Sequence, residues 1–140
     1  LMLTAPSYIL VEAGTNTVIF EQNADEKRQA ASLIKLMMLL ICIESLENGA
    51  VTLETPVTVS DKAAKTPGST ALLDANSTYR LEDLLRSCII ASANDACVAM
   101  AEHLAGSEAA FVEAMKGLEI FMDTSSALFA ITSFSLLVCF

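Results

Sequence analysis

The chain has 140 residues, with 8 Lys and Arg against 17 Asp and Glu and a net charge of −9, which is enough for one domain with a core and too little for two ordinary ones. The acidic balance leaves no basic patch, so we expect no nucleic-acid partner. A hydrophobic fraction of 54% with 18% charged residues excludes a disordered chain. The 4 cysteines and 1 histidine have no metal-ligand spacing, so the sequence predicts no metal site.

The first predicted elements are a hairpin and a helix. Residues 7–13 and 17–21 are predicted to be strands, and Gly14-Thr15-Asn16 between them favours a tight turn. After a polar loop, residues 30–48 are apolar at nearly every central position, which predicts a helix buried on all sides. Asn48-Gly49 marks the end of that helix.

Short elements and three more helices are predicted after residue 50. They are a strand over 57–59, a turn at Pro67-Gly68, an extended piece over 71–73, and helices over 81–91, over 95–104 and from Ser107 to about Lys116. Residues 92–95 are cap-forming and separate the first two of these helices, and Ser107 caps the last one.

The two ends of the chain bear on localisation. Residues 1–6 lack a basic start and a full apolar stretch, so no complete signal peptide is visible. Residues 124–140 carry no charge, and 17 residues lie at the lower edge of what a membrane-spanning helix needs. This tail has two interpretations: it is a membrane anchor, or it is an incidental apolar end or a core segment.

A serine and a lysine at the start of the apolar helix carry the first candidate chemistry. In Ser32-Leu33-Ile34-Lys35, the spacing of three places both side chains on one helix face. A lysine half-buried among apolar residues can take the proton of a serine hydroxyl, and backbone N–H groups at a helix start can stabilise the resulting negative charge. Simple surface exposure of Lys35 is the alternative.

The second candidate group is Ser92-Ala93-Asn94, in the break between two predicted helices. A hydroxyl and an amide there could project into a cleft beside Ser32. Ordinary helix capping would also explain Ser and Asn at such a junction.

Taken together, Ser32-x-x-Lys35 and Ser92-x-Asn94 follow the chain order of the penicillin-recognising serine enzymes. Residues 7–116 closely resemble the D-alanyl-D-alanine carboxypeptidases, which are low-molecular-mass penicillin-binding proteins. The resemblance implies an α+β fold of the penicillin-binding-protein and serine beta-lactamase type, here an N-terminal β-hairpin and a helical subdomain without most of the central sheet. It places this partial domain at 1–117 and leaves 118–140 as an apolar tail of unassigned origin.

The resemblance also implies an activity and a role for each residue. The enzyme would be a serine peptidase that trims peptidoglycan stem peptides ending in D-Ala-D-Ala, outside the cytoplasmic membrane. Ser32 would form the acyl-enzyme, Lys35 would be the general base, Ser92 would relay a proton and Asn94 would bind the substrate. Beta-lactams would acylate the same serine as covalent inhibitors, and no metal or organic cofactor would be needed.

One part of the family pattern is absent, because these 140 residues contain no Lys-Thr-Gly. The segment Lys65-Thr66-Pro67-Gly68 lies between the other two motifs, and its proline removes an N–H donor. In the family the third motif binds the substrate carboxylate, and its strand supplies half of the oxyanion hole. We therefore expect a truncated chain that is not competent alone.

Two other functions stay open at this point. A serine beta-lactamase would share the motifs, although Ala93 stands where class A enzymes have Asp. A non-catalytic, membrane-associated helical protein would be held by the tail, with Ser32 and Lys35 serving only in packing.

Overall fold

The computed structural model describes residues 4–12, 14–26, 29, 31–122 and 136–139. Its elements in chain order are β1 (Tyr8–Glu12), β2 (Thr17–Gln22), a 3₁₀ turn (Ala31–Leu33), α1 (Ile34–Glu47), β3 (Pro56–Thr58), α2 (Asp61–Ala64), β4 (Thr78–Arg80), α3 (Leu81–Ala91), α4 (Asn94–Ala105), α5 (Glu108–Met122) and β5 (Leu136–Cys139). They belong to two compact units, one holding β1, β2 and β5 and the other spanning Ser32–Gly117.

The first unit is a small antiparallel sheet with β1 in the middle, in the order β2-β1-β5. The predicted hairpin is confirmed, with Tyr8 opposite Gln22 and an irregularity in register after Leu10. Its turn is held by Glu12, whose carboxylate accepts hydrogen bonds from the Gly14 amide at 3.0 Å and the Thr15 amide at 2.7 Å. The carboxylate thus fixes the direction in which the chain reverses.

The helix α5 is longer than the sequence predicts. The α5 backbone continues to Met122, past the end expected near Lys116. Gly117 lies inside this helix, where one glycine weakens a helix by about 1 kcal/mol relative to alanine without ending it. The domain boundary after residue 117 stays a prediction.

Most of the predicted apolar tail, residues 124–135 and 140, lies outside the described residues. Its described part is β5, which pairs with β1 and places Cys139 opposite Tyr8. Within the part of the chain that the structure describes, no helix has the length and apolar character needed to cross a bilayer.

The second unit is organised around α4, which packs against α1, α2, α3 and β3. Small side chains on α4, among them Ala96 and Ala99, are fully buried and let these neighbours approach closely. Leu81 and Leu84 of α3 are also fully buried and fill the remaining space. A helix packed on several sides holds its N-terminal residues firmly, and here those residues include Asn94.

The prediction that the first helix is buried on all sides is wrong for the described residues. Met38 and Cys42 are buried, but Ile34, Leu36 and Ile43 are 53%, 52% and 48% exposed. One face of α1 packs on α4, whereas Ile34, Leu36 and Ile43 are only about half covered. An apolar surface permits burial all round, but burial also requires a neighbouring element on every side.

The break between α3 and α4 and the turn at Pro67-Gly68 are confirmed, with smaller differences elsewhere. The third strand begins one residue earlier than predicted, at Pro56. Residues 71–73 form no strand, because the amides of Ala71 and Leu73 are bound by a carboxylate of α4. Ser107 caps α5 as predicted, accepting a hydrogen bond from the Ala110 amide at 3.1 Å.

Candidate active site

A lysine in the first turn of α1 reaches the connection between α3 and α4. The Lys35 Nζ atom lies 2.6 Å from the Ser92 carbonyl oxygen, 2.8 Å from Ser92 Oγ and 2.7 Å from Asn94 Oδ1. A protonated amine has three N–H donors, and these acceptors use all of them. The fold therefore brings together three of the four predicted site residues, across 57 and 59 positions of sequence.

The backbone of Ser92 turns the chain between the two helices. Ser92 ends α3 in the left-handed conformation, with φ 53°, which is unfavourable for residues other than glycine. Ala93 follows with no exposed surface and fixes the connection to the core. This short turn directs both the carbonyl and the hydroxyl of Ser92 to the lysine.

The side chain of Asn94 is held at both ends. Its Oδ1 accepts from Lys35, and its Nδ2 donates to the Pro67 carbonyl oxygen at 2.7 Å. The Asn94 backbone N–H donates to the Ser69 carbonyl oxygen, also at 2.7 Å. No side chain caps α4, whose N-cap is Ala93, so the capping interpretation is wrong for Asn94, whereas Ser92 is the C-cap residue of α3.

The loop over residues 67–69 is a part of the site that the sequence did not reveal. Gly68 has φ 99°, and a Cβ atom there would lie 2.6 Å from Asn94 Nδ2. Pro67-Gly68 is recognisable as a turn from sequence alone, but nothing in the sequence links this turn to an asparagine 27 residues later. The segment from Lys65 to Gly68, set aside because it breaks the Lys-Thr-Gly pattern, contacts the site through its backbone.

Asp95 is a second contributor that the sequence did not identify. Its carboxylate has no exposed surface and accepts from the Ala71 amide at 2.9 Å, the Leu73 amide at 3.1 Å and the Ala96 amide at 2.9 Å. The sequence predicts that Asp95 caps the next helix, and this is wrong, because the N-cap of α4 is Ala93 and Asp95 lies inside the first turn. The bonds from the Ala71 and Leu73 amides fasten the loop before residue 73 to the start of α4.

The predicted nucleophile, Ser32, lies in the 3₁₀ turn just before α1 and is exposed. Its hydroxyl makes no hydrogen bond with the described residues, while the amine of Lys35 is bound to Ser92 and Asn94. The residue before it, Ala31, has φ 44°, a conformation that costs an L-residue about 1–2 kcal/mol. Backbone strain of this kind is concentrated at functional sites.

A cavity of about 280 Å³ adjoins the lysine and Asn94. Apolar side chains from α1, α4 and α5 form most of its wall, including Met38, Val98, Ala101, Phe111 and Met115. The arrangement places a charged, hydrogen-bonding group at the edge of an apolar space. Such a site can bind a ligand that combines polar and apolar parts.

Comparison with known proteins identifies the family of the chain. The D-alanyl-D-alanine carboxypeptidase family profile matches residues 2–119. The carboxypeptidase DacF of Bacillus subtilis is 37% identical over 111 residues, which cover 79% of this chain and 28% of DacF. DacC of Escherichia coli is 36% identical over 120 residues, covering 81% of this chain and 30% of DacC.

Solved structures show the same fold. The peptidoglycan synthesis regulatory factor PBP3 of Streptococcus pneumoniae superimposes with a TM-score of 0.83 at 34% identity, covering 90% of this chain and 36% of that one. The carboxypeptidase DacD of Francisella tularensis gives 0.81 at 30% identity, covering 84% and 29%. These likenesses confirm the predicted α+β fold of the penicillin-binding-protein type.

The chain spans less than a third of the length of the curated relatives it matches, 28% of one and 30% of another. Within that span the resemblance extends over hairpin, helices and loops, and it includes the elements that carry Ser32, Lys35, Ser92 and Asn94. On this basis, the chain belongs to the D-alanyl-D-alanine carboxypeptidase family of serine peptidases.

Proposed function

We propose that this protein is a serine-type D-Ala-D-Ala carboxypeptidase that removes the terminal D-Ala from peptidoglycan stem peptides through an acyl-enzyme on Ser32. The observation that carries the proposal is the position of the Lys35 amine, 2.8 Å from Ser92 Oγ and 2.7 Å from Asn94 Oδ1. In a member of this family, that arrangement supports proton transfer between a lysine and a serine. Its place of action would be outside the cytoplasmic membrane, where peptidoglycan lies.

The proposed reaction begins at Ser32. Its Oγ attacks the carbonyl carbon of the last peptide bond, and the neutral form of the Lys35 amine takes the hydroxyl proton. The lysine then gives a proton to Ser92 Oγ, and Ser92 gives its own proton to the departing amine of D-Ala. Water later hydrolyses the ester and restores the serine.

The hydrogen bonds of the site support the second half of this sequence. With all three amine donors used, Lys35 is arranged as a proton donor to Ser92. Once that proton has passed to Ser92, the amine is again in the neutral form that the first step requires. Because Ser92 Oγ is both an acceptor and a donor, it can carry the proton forward.

We assign substrate binding to Asn94. A carboxamide oxygen has two lone pairs, and Lys35 occupies one at Asn94 Oδ1. The second can accept a hydrogen bond from a substrate N–H group. The bond from Nδ2 to Pro67 keeps the oxygen turned to the site, so the loop over residues 67–69 sets the direction of this contact.

Beta-lactams are the proposed covalent inhibitors of the same serine. Penicillin-binding protein D2 of Listeria monocytogenes, 26% identical to this chain with a TM-score of 0.70, has been solved in an ampicillin-bound form. A penicillin therefore serves as a probe of the proposed acyl-enzyme.

The test is exposure of the full chain to excess penicillin, followed by tryptic digestion and mass spectrometry. The tryptic peptide over residues 29–35 contains Ser32 as its single serine, so an adduct on it assigns the nucleophile directly. We expect a covalent adduct of the penicillin on this peptide.

Two variants control the experiment. Ser32→Ala abolishes the adduct, whereas Ser87→Ala retains it, because the Ser87 hydroxyl bonds only a carbonyl of its own helix. An adduct that persists in Ser32→Ala, or no adduct after saturating exposure, contradicts the proposal. Fast release of opened penicillin without a stable adduct would instead indicate a beta-lactamase.

A further inference from the structure

Two cysteine thiols lie close together where α3 ends and α4 begins, on either side of the turn that carries Ser92. Cys88 in the last turn of α3 and Cys97 in the first turn of α4 place their sulfur atoms 2.9 Å apart. A disulfide needs about 2.05 Å between the sulfur atoms, so a movement of about 0.9 Å would join them. Both are free thiols in this structure.

The two thiols differ in access. Cys88 is 3% exposed, whereas Cys97 is partly exposed and forms part of the wall of the cavity beside Lys35. Cys42 is fully buried in the same core, and it forms no hydrogen bond with either thiol. A small reagent that enters the cavity therefore meets Cys97 first.

We propose that Cys88 and Cys97 are an oxidisable dithiol, which closes to an intramolecular disulfide across the base of the turn bearing Ser92 and Asn94. The residues that would be cross-linked bracket the whole connection between α3 and α4. The pair is not used in the proposed carboxypeptidase reaction.

The oxidant can be a small-molecule disulfide, with oxidised glutathione as the probe. The Cys97 thiolate attacks one glutathione sulfur, the glutathione S–S bond breaks, and one glutathione thiolate leaves. The Cys88 thiolate then attacks Cys97 Sγ, which forms the protein disulfide and releases the second glutathione. Two protein thiols are oxidised, and one oxidised glutathione becomes two reduced molecules.

The electrostatics of Cys88 favour its role as the second, resolving thiol. The hydrogen bond with Cys97 lowers the pKa of Cys88, burial acts in the opposite direction, and the Lys35 charge lowers it further. The same hydrogen bond, together with burial, raises the pKa of Cys97. We therefore expect the first step, attack by Cys97, to limit the rate.

Closing the ring should stiffen the turn. The disulfide would enclose residues 88–97, and a loop of this size gives a moderate restraint on the unfolded chain. The midpoint of thermal unfolding should rise by about 5–10 °C in the oxidised protein. Reduction with dithiothreitol should reverse the shift.

The sequence allows a direct assay. Between Arg86 and Lys116 there is no trypsin site, so one peptide over residues 87–116 carries both thiols and neither of the other two cysteines. After treatment of the full chain with oxidised glutathione and alkylation of free thiols, this peptide should be unalkylated and lighter by two hydrogen atoms. The variant Cys42→Ser should give the same result.

Single substitutions separate the two steps. Cys88→Ser should accumulate glutathione on Cys97, because the resolving thiol is missing, whereas Cys97→Ser should react little, because Cys88 is buried. A wild-type peptide that keeps glutathione on Cys97, or that takes up two alkyl groups after full exposure, overturns the proposal. A disulfide between two chains overturns it as well.

Discussion

The loop over residues 67–69 yields the sharpest prediction, through the substitution Gly68→Ala. The new Cβ atom would lie 2.6 Å from Asn94 Nδ2 at a backbone φ of 99°. Asn94 cannot swing away freely, because Pro67 and Lys35 hold the two ends of its amide. The substitution therefore strains the backbone and displaces the Asn94 amide.

A matched control variant separates the cost of backbone strain from the cost of the disturbed Asn94 contact. Gly49 has φ 77°, and a Cβ atom added there would meet nothing within 4 Å. Gly49→Ala should therefore lower the free energy of unfolding only by the cost of backbone strain at this φ, about 1–2 kcal/mol. Gly68→Ala adds a disturbed hydrogen bond to a charged amine, about 1.5–3 kcal/mol. We expect a total loss of about 2.5–5 kcal/mol in the free energy of unfolding for Gly68→Ala.

Urea unfolding, monitored by circular dichroism, gives the free energy of unfolding of both variants and of the parent chain. Penicillin labelling of Ser32 should fall in Gly68→Ala and stay unchanged in Gly49→Ala, because only the first displaces Asn94. Equal stability losses in the two variants would refute the reasoning about the Asn94 contact.

Three further predictions concern the rest of the fold. Asp95→Asn should lower the free energy of unfolding, measured by urea denaturation, by about 2–4 kcal/mol. The reason is that a buried carboxylate which accepts from three backbone amides becomes a weaker acceptor. A loss below about 0.5 kcal/mol would contradict this. On α3, Leu84→Ala should lower the free energy of unfolding by about 2–5 kcal/mol, since Leu84 is fully buried. Ile90→Ala, at an 83% exposed position, should change it by no more than about 0.5 kcal/mol. Similar losses in the two variants would contradict the difference in burial. The bond from the Thr15 hydroxyl, followed by the Gly14 and Thr15 amides, lowers the pKa of Glu12, so its support of the hairpin is complete above the ordinary value of about 4.3 and is lost as the pH falls through the lower folded value. An NMR titration of Glu12 checks this, and a midpoint at or above the ordinary value would be inconsistent with the turn geometry.

Local sequence patterns predicted most of the elements, because each pattern acts through nearby residues. The predicted helix over 81–91 matches α3 in both bounds, since Leu81, Leu84 and Cys88 repeat at helical spacing and are all buried. The hairpin and the Ser107 cap are equally local. The length of α5 was missed, because one glycine weakens a helix without ending it.

For the candidate site as well, the sequence identified residues and the tertiary structure supplied the contacts between them. The order Ser32, Lys35, Ser92, Asn94 and the resemblance of the surrounding chain identified the family, which the comparisons confirm. The roles of these residues stay predictions. The contacts of Pro67 and Gly68 with Asn94 were invisible in sequence, because a backbone carbonyl carries no residue-specific signal.

The sequence by itself determined the family, the order of most strands and helices and the residues able to carry the chemistry, because these depend on residue type and short-range spacing. It did not predict α2, β4 or β5. Only the tertiary structure decided that the Lys35 amine meets Ser92 and Asn94, that several apolar side chains of α1 stay about half exposed, and that Cys88 and Cys97 lie side by side. Contacts of this kind depend on how separate elements pack in three dimensions, and no local pattern encodes that packing.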